Sequence, residues 1–331
     1  MEPMSRLVAE PLFEGRKPAL DPGVCVADQY EIRGVLAHGA AGWIYLAWDR
    51  VLSRWAVLKG LLRAADEESV NQALAERQFL AAVKHPNIVS IYNFARYGGD
   101  GFIVMEYVDG RTLKAVRAER GPLPVPEAIA YIHRILNAFA YLHRQRLLFC
   151  DFKLENCMVE ADDVKLIDLG FVRRMDDTVS GVYGTVGYAA PDGAETPSVA
   201  SDLYTVGRSL AIMVGGFDLF GDYVHTLPGP DVVPAFARHP ALYAFLQKAT
   251  HPEPDRRFQN ADDMATQLLG VLREVTAGTG LARTLESVYF FAADQVQTGQ
   301  RSVGPRSLPA LKPDSGDPAA TALLSASALE G

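Results

Sequence analysis

Two short stretches decide the fold: Phe149-Cys150-Asp151-Phe152-Lys153-Leu154-Glu155-Asn156 and, twelve residues after that asparagine, Asp168-Leu169-Gly170. Their side chains, in this order, are those that phosphoryl transfer from Mg-ATP requires. Asp151 would accept a hydrogen bond from the attacking hydroxyl, and Lys153 would stabilise charge on the transferring phosphoryl group. Asn156 and Asp168 would hold Mg²⁺ on the phosphates, because this ion binds few carboxylates together with phosphate oxygens.

Composition places the chain among ordinary globular proteins. Its 331 residues are 49% hydrophobic and 22% charged, enough for one catalytic unit of two lobes or for two average domains. A net charge of −8 without a long basic run argues against nucleic acid as a partner. No apolar stretch approaches the roughly 18 residues that span a bilayer, so we expect no membrane insertion.

The three cysteines, Cys25, Cys150 and Cys157, indicate a reducing compartment. Their odd number and the absence of a C-x-x-C pair argue against a disulfide framework or a structural zinc site, so we expect a cytoplasmic protein. Cys157 is predicted to be an apolar core residue, since free cysteine is among the most buried residue types. Residues 1–28 are rich in Pro and Gly without periodicity, which predicts a mostly disordered tail.

Strands come first along the chain and helices follow. Runs rich in β-branched and aromatic residues predict strands at 30–32, 43–47, 55–59, 88–94 and 102–107. Apolar residues at helical spacing predict helices at 66–83, 129–142, 200–214, 240–249 and 260–276. Glu76 falls within the apolar stripe of the first helix, where a charge needs a partner across the interface.

This order predicts an α+β fold with two lobes. A small antiparallel sheet lobe with one helix would cover about residues 29–107, and a larger, mainly helical lobe would cover about residues 109–276. Residues 277–331 are interpreted as a linker-like tail, in which 319–329 could form a short helix after Asp317-Pro318.

The predicted sheet carries residues suited to binding a nucleotide. Residues 37–45 join two strands, and Gly39 and Gly42 within them let backbone N–H groups approach phosphates closely. Alone this loop is weak evidence, because strands joined by a glycine-containing turn are common. Lys59 at the end of a strand would neutralise phosphate charge, and Glu76, seventeen residues further on, would pair with Lys59 and hold it in place.

An apolar strand that ends in a short polar linker, residues 102–110, suits a hinge between the two lobes. Met105 would lie behind an adenine, and backbone groups of Glu106 and Val108 would bond the edge of the base. Alone this stretch is equally consistent with an ordinary edge strand. The ordered set of motifs makes the hinge interpretation specific.

The set resembles the eukaryotic-type Ser/Thr protein kinase family over about residues 30–275. The resemblance implies a bilobal fold, protein substrates, and ATP with Mg²⁺, or alternatively Mn²⁺. It implies that Ala37, in the place of a first glycine, lines the nucleotide site with Gly39, Gly42, Ile44 and Ala56. Later segments fit the same family: Gly184-Thr185 and Ala190-Pro191-Asp192 resemble the end of an activation segment, Asp202 the aspartate that binds the catalytic-loop backbone, and Arg257 the partner of Asp192.

Less common segments narrow the resemblance to the actinobacterial protein kinase G family, namely residues 37–39, 42–47, 58–60, 75–81, 166–170 and 204–208. In that family a rubredoxin-like metal module with two C-x-x-C pairs precedes the kinase domain and a tetratricopeptide domain follows it. This chain has Cys25 alone before the motifs, and no repeat is visible after them. We therefore expect neither iron-based redox control nor repeat-mediated dimerisation, and the oligomeric state stays open.

Protein kinases commonly have His-Arg-Asp where this chain has Phe149-Cys150-Asp151. That arginine meets a phosphate on the activation loop, and Cys150 cannot supply the charge. We therefore predict activity without activation-loop phosphorylation, although Thr178, Ser180 and Thr185 offer acceptor hydroxyls. A second interpretation makes Cys150 an oxidisable switch, which requires exposure and a lowered thiol pKa.

The leading prediction is an active ATP- and Mg-dependent protein kinase, and Lys153 together with Thr185 favours Ser/Thr acceptors. A small-molecule phosphotransferase is disfavoured because residues 184–192 resemble a peptide-docking element. The alternative is a nucleotide-binding pseudokinase scaffold. Such a scaffold is expected to have lost one of three residues that this chain keeps: Lys59, Asp151 and Asp168.

Overall fold

The computed structural model describes residues 3–8, 17–39, 42–60, 78–161, 163–177, 184–193, 195–217 and 221–277. The chain divides into two compact units, Met1–Thr276 and Ala277–Gly331, and Ala277 is the one described residue of the second. Several predictions therefore lie outside the described residues. They concern residues 66–77 of the predicted helix 66–83, with Glu76, the hydroxyls of Thr178 and Ser180, and the tail over 278–331. The described end of that predicted helix is a short 3-10 helix, Gln78–Ala82.

The N-terminal lobe is built on one antiparallel sheet of six strands in the order β1-β2-β3-β4-β6-β5. The strands are β1 Cys25–Val26, β2 Tyr30–Gly39, β3 Gly42–Asp49, β4 Arg54–Gly60, β5 Ile91–Tyr97 and β6 Asp100–Glu106. Alternate side chains of these strands form one apolar core, in which Tyr45, Leu58 and Val104 are fully or almost fully buried. Burial of each such side chain contributes about 1.5–3 kcal/mol, which holds the sheet together.

Part of the segment predicted as a disordered tail belongs to this lobe. Leu20 is 3% exposed and Val26 is fully buried in the core of the sheet. The N–H of Gly23 donates to the carbonyl oxygen of Ile32 at 2.8 Å, and the N–H of Ile32 donates to Val24 at the same distance. The prediction of a tail over residues 1–28 is therefore wrong for 17–28, because two isolated apolar residues show no period yet complete the core.

The C-terminal lobe is mainly helical. Its helices are α1 Leu113–Arg120, α2 Val125–Arg144, α3 Val199–Gly215, α4 Pro234–Arg238, α5 Pro240–Ala249 and α6 Ala261–Ala277. The predicted helices in this lobe are confirmed, and so is the α+β architecture with the sheet lobe first. Within the described part of the chain, no helix is long and apolar enough to cross a membrane.

Helix α3 is the central element of this lobe. Its N-terminus is capped reciprocally, since the Ser198 side chain accepts from the N–H of Ser201 and the Ser201 side chain accepts from the N–H of Ser198. Its residues 200–214 are all buried, including Asp202 and Arg208. A helix that is buried on every face is a rigid support for the loops packed against it.

Five short strands, β7 to β11, flank the catalytic-loop candidate and the segment that contains Asp168. β7 Arg111–Thr112 pairs with β9 Cys157–Glu160, which pairs with β10 Asp163–Leu166. β8 Leu147–Leu148 pairs antiparallel with β11 Arg173–Arg174. The catalytic-loop candidate, residues 149–156, runs from β8 to β9, and it ends in a 3-10 turn over Leu154–Asn156. Cys157 is fully buried at the start of β9, as predicted.

The fifth strand begins later than predicted. The prediction was 88–94, whereas β5 starts at Ile91. Ile88 forms a parallel bridge with Leu166 instead, and the N–H of Val89 donates to the carbonyl oxygen of Leu166 at 2.8 Å. These apolar residues continue the strand pattern in sequence but dock on the end of β10, two residues before Asp168. The segment therefore ties the sheet lobe to the helical lobe beside the proposed site.

Candidate active site

Asp151, Lys153 and Thr185 form a closed triangle of hydrogen bonds. Lys153 Nζ donates to Asp151 Oδ2 at 2.8 Å and to Thr185 Oγ1 at 2.7 Å. Thr185 Oγ1 in turn donates to Asp151 Oδ1 at 2.7 Å. Asp151 is 5% exposed, so these charge-assisted bonds act in a partly dehydrated site. The structure brings the predicted base and the predicted lysine together with a hydroxyl from a distant segment.

The backbone of the catalytic loop is held from below by Asp202. One oxygen of its carboxylate accepts from the N–H of Phe149 and the other from the N–H of Cys150, each at 2.8 Å. His143 Nε2 lies 3.0 Å from the same carboxylate, which is 1% exposed in the core of α3. Cys150 has a φ of +68°, a conformation unusual for a side chain with a Cβ. The two hydrogen bonds to the buried Asp202 carboxylate hold this turn in place and thereby fix the direction in which Asp151 points.

Asn156 is bonded through its backbone to the residue before Asp168, and each of the two side chains keeps an oxygen that accepts no hydrogen bond from a described residue. Asn156 Nδ2 donates to the carbonyl oxygen of Asp151 at 2.8 Å, and the N–H of Ile167 donates to the backbone carbonyl of Asn156 at 3.0 Å. Among the described residues, none donates to Asn156 Oδ1 or to Asp168 Oδ2. One amide and one carboxylate oxygen fit Mg²⁺, which completes its shell with phosphate oxygens and water. A site closed by protein ligands alone is not required, and in the described segments no group of three His, Cys, Asp or Glu is arranged to hold a metal ion by itself.

Lys59 at the end of β4 reaches across to Asp168. Its ammonium forms an ion pair with Asp168 Oδ1, which also accepts from the N–H of Gly170 at 2.9 Å. Burial by itself raises the pKa of the Asp168 carboxyl, but attraction to Lys59, the bonds from Lys59 and Gly170, and the charge of Lys153 together hold it below its ordinary value. Asp168 is therefore ionised at neutral pH, as a metal ligand must be.

The residues predicted around the nucleotide lie on neighbouring strands. In the β2–β3 hairpin Ala37 stands opposite Ile44 and Gly39 opposite Gly42, while Ala56 on β4 is fully buried. Gly42 has a φ of +130°, which glycine adopts without the penalty of a side chain. The strand register thus puts Ala37, Gly39, Gly42 and Ile44 near the end of the sheet that carries Lys59, whereas Ala56 lies three residues before Lys59 on the same strand.

The predicted hinge follows β6. Met105 is 7% exposed and Val108 is 4% exposed, so both side chains pack inward. The N–H of Glu106 donates to the carbonyl oxygen of Ser90 at 2.9 Å, and its carboxylate accepts from the N–H of Ser90 at 3.1 Å and pairs with Lys165. The backbone N–H and the side chain of Glu106 are therefore committed to protein contacts.

A family model of the protein kinase domain matches residues 30–272. The chain belongs to the protein kinase family. This kinase is 48% identical over 282 residues to the serine/threonine-protein kinase PknG of Mycolicibacterium smegmatis and 46% identical over 284 residues to PknG of Mycobacterium leprae. Each match covers 82% of this chain. The serine/threonine-protein kinase PknB of Mycobacterium leprae is 32% identical over 271 residues, 74% of this chain. The chain spans 36%, 37% and 43% of the lengths of these relatives.

The end of the activation segment of this kinase is fastened by the predicted ion pair. Arg257 Nη2 lies 2.5 Å from Asp192 Oδ1, and the Arg257 side chain is fully buried. The same guanidinium donates to the carbonyl oxygens of His251 and Pro252 and lies over the ring of Tyr204 at 4.9 Å. The pair is therefore structural, whereas a solvent-exposed ion pair would contribute little.

Cys150 does not have the properties of a redox switch in this kinase. Burial raises the pKa of its thiol well above the ordinary range, the carboxylates of Asp202, Asp151 and Asp177 raise it further, and Arg173 only partly opposes them. A thiol with a raised pKa carries little thiolate and reacts slowly. The structure therefore disfavours the interpretation of Cys150 as an oxidisable switch.

Three contacts of the site were not predicted from the sequence. Thr185 donates a hydrogen bond to Asp151, His143 contacts Asp202, and Lys59 forms an ion pair with Asp168. Thr185 carries a signal in sequence, since it follows Gly184 in the activation segment. His143 carries none, because a histidine in the last turn of a helix is unremarkable.

Proposed function

We propose that this chain is an active Ser/Thr protein kinase that transfers the γ-phosphoryl group of ATP to a hydroxyl of a protein substrate. The hydrogen-bond triangle of Asp151, Lys153 and Thr185 is the observation that supports it most. A carboxylate, an ammonium and a hydroxyl converge at one point, and the hydroxyl stands where a substrate serine or threonine would present its own. Mg²⁺, or alternatively Mn²⁺, would be held by Asn156 and Asp168 and would neutralise charge on the phosphates.

The chain's own residues support each part of the reaction. The substrate hydroxyl donates a hydrogen bond to Asp151, which orients the oxygen and finally takes the proton. The oxygen–phosphorus bond forms as the bond to the β–γ bridging oxygen breaks, and ADP leaves with the electron pair. Lys153 stabilises the charge on the transferring group, and Lys59 reaches the other phosphates. Tight packing of Met105 and Ala56 would hold the base.

Activity is proposed not to require phosphorylation of the activation loop, because Cys150 cannot bind a phosphate as an arginine does. The test replaces Thr178 and Ser180 together with alanine. We expect the double variant to keep its kcat within about twofold, since no charge pair is lost. Loss of most of the activity would contradict this part of the proposal.

An assay of radiolabelled phosphate transfer from ATP to a generic protein substrate distinguishes an active kinase from the pseudokinase alternative. Asp151→Asn should lower kcat by about 10²-fold or more while ATP binding, measured by calorimetry, is kept. Asp262→Asn is the matched control, because this carboxylate is 71% exposed in an ion pair with Arg144. No transfer by the unmodified protein despite ATP binding would favour the scaffold.

The proposal places the enzyme in the cytoplasm, on the evidence of its three free cysteines.

A further inference from the structure

The segment that follows Asp168 is held against the catalytic loop by its backbone. Arg173 on β11 stands opposite Leu148 on β8, one residue before the loop begins. Two residues later, the N–H of Met175 donates to the carbonyl oxygen of Arg146 at 2.9 Å. The starting point of the Arg173 side chain is therefore fixed relative to Asp151.

Arg173 turns back onto its own segment instead of reaching into solvent. Its side chain is 8% exposed, Nη2 donates to the carbonyl oxygen of Asp177, and the same nitrogen lies 3.4 Å from Asp177 Oδ1. The N–H of Asp177 donates to the carbonyl oxygen of Arg174 at 3.2 Å, which closes a tight turn. One buried guanidinium thus binds both the backbone and the carboxylate of a residue four positions on, a charge-assisted contact.

Arg173 also balances the negative charge around the catalytic loop. The charged groups that act on the Cys150 thiol are the carboxylates of Asp202, Asp151 and Asp177 and the guanidinium of Arg173. Carboxylates that act on one partly buried group repel one another, and the guanidinium of Arg173 offsets part of that repulsion. Cys150 supplies no cation to the catalytic loop, and Arg173 supplies one from β11.

A second ion pair in the same turn shows what burial adds. Arg174 Nε lies 3.1 Å from Asp176 Oδ1, with side chains that are 63% and 59% exposed. Solvent screens such a pair, and it is expected to contribute little. The two pairs have the same chemistry and lie next to each other, so they differ mainly in whether water surrounds them.

We propose that the Arg173–Asp177 pair replaces an arginine–phosphate contact, which makes Arg173 a positioning residue of the catalytic loop. The carboxylate of Asp177 belongs to the chain, so its charge is present without phosphorylation and the turn over 173–177 stays anchored. Arg173 acts through the β8–β11 pairing and through its charge beside Cys150, the residue before Asp151. This inference rests on the proposed kinase activity and names how that activity would be kept switched on.

Asp177→Asn and its exposed neighbour Asp176→Asn form a matched pair for the test, assayed in the full chain with ATP and a generic protein substrate. Asp177→Asn should lower kcat at least about tenfold and leave the KM for ATP unchanged, because the lost ion pair involves none of the residues proposed to bind ATP. Asp176→Asn should stay within about twofold. Asp177→Glu keeps the charge and should recover most of kcat. Equal kcat in the two Asn variants would overturn the proposal.

Hydrogen exchange tests the anchor without relying on activity. In Asp177→Asn the backbone N–H groups of Met175 and Asp177 should exchange faster than in Asp176→Asn. If the unmodified protein transfers no phosphate but this difference appears, the proposed function fails and the anchor is supported. Activity without any exchange difference overturns the anchor, as does a fall in wild-type kcat after phosphatase treatment. Should Asp177→Asn fail to fold, Arg173→Lys, which keeps the charge but lacks the forked donors, is expected to show the same losses.

Discussion

The Asp192–Arg257 ion pair allows a stability prediction with a built-in control. Asp192→Asn removes the carboxylate charge and leaves a guanidinium that is fully buried. Neighbouring residues supply the control, because Arg256 and Glu253 form an ion pair at 3.0 Å with side chains 66% and 63% exposed. Glu253→Gln removes the same kind of charge from a pair that water already surrounds. The two variants therefore isolate the effect of burial.

The magnitude follows from what Arg257 keeps. Removing one partner of a fully buried pair costs about 3–5 kcal/mol. Arg257 retains bonds to the carbonyl oxygens of His251 and Pro252 at 2.6 and 2.7 Å, and Asp192 is 21% exposed, so solvent relieves part of the loss. We expect Asp192→Asn to lower the free energy of unfolding by about 2 kcal/mol. In a domain of this size that corresponds to a fall of roughly 4–8 °C in Tm.

Differential scanning calorimetry and urea unfolding of the full chain measure both quantities. Glu253→Gln should change the free energy of unfolding by at most about 0.5 kcal/mol. A buried guanidinium without its carboxylate should also loosen the segment around Asp192, and activity should fall together with stability. If Asp192→Asn costs no more stability than Glu253→Gln, the pair is not structural and the reasoning from burial is wrong.

Three further changes test the site itself. In Gly170→Ala the new Cβ would lie 2.9 Å from Asp168 Oδ1, so kcat should fall at least about tenfold while the circular dichroism spectrum stays unchanged. Gly270→Ala is the control: its Cβ meets nothing within 4 Å, and the substitution should stabilise the helix by roughly 0.5–1 kcal/mol. Cys150→Ser should keep wild-type kcat, and iodoacetamide at pH 8 should label Cys150 far more slowly than a free thiol, because burial raises its pKa; rapid labelling would revive the switch. The stability that the ionised Asp168 contributes is fully present above its unfolded pKa of 3.8, and it is lost as the pH falls through its lower folded pKa. Lys59→Met removes the cation that lowers this pKa, so a profile of stability against pH should show the loss at higher pH. An unshifted profile would count against the ion pair.

Local pattern was sufficient for the four longest helices among the described residues. The spacing of apolar residues located the helices now seen as α2, α3, α5 and α6, because a helix must turn one face to the core wherever it packs. The pattern misplaced the start of β5, because Ile88 and Val89 continue the alternation of a strand but pair with Leu166 instead of with β6. It also missed Leu20 and Val26, whose burial depends on a sheet surface that no local window contains.

The sequence by itself determined which side chains are available for the chemistry, because phosphoryl transfer needs a carboxylate, a lysine and an amide at fixed separations and Asp151, Lys153 and Asn156 meet that need within one loop. Tertiary structure alone decided how they are held. Thr185 reaches Asp151 and Asp202 reaches the N–H of Cys150 from segments 34 and 52 residues away, and burial separates the inner ion pair of Arg173 from the exposed pair beside it. Distances through space and the exclusion of water are properties of the folded chain, so no reading of neighbours along the sequence could supply them.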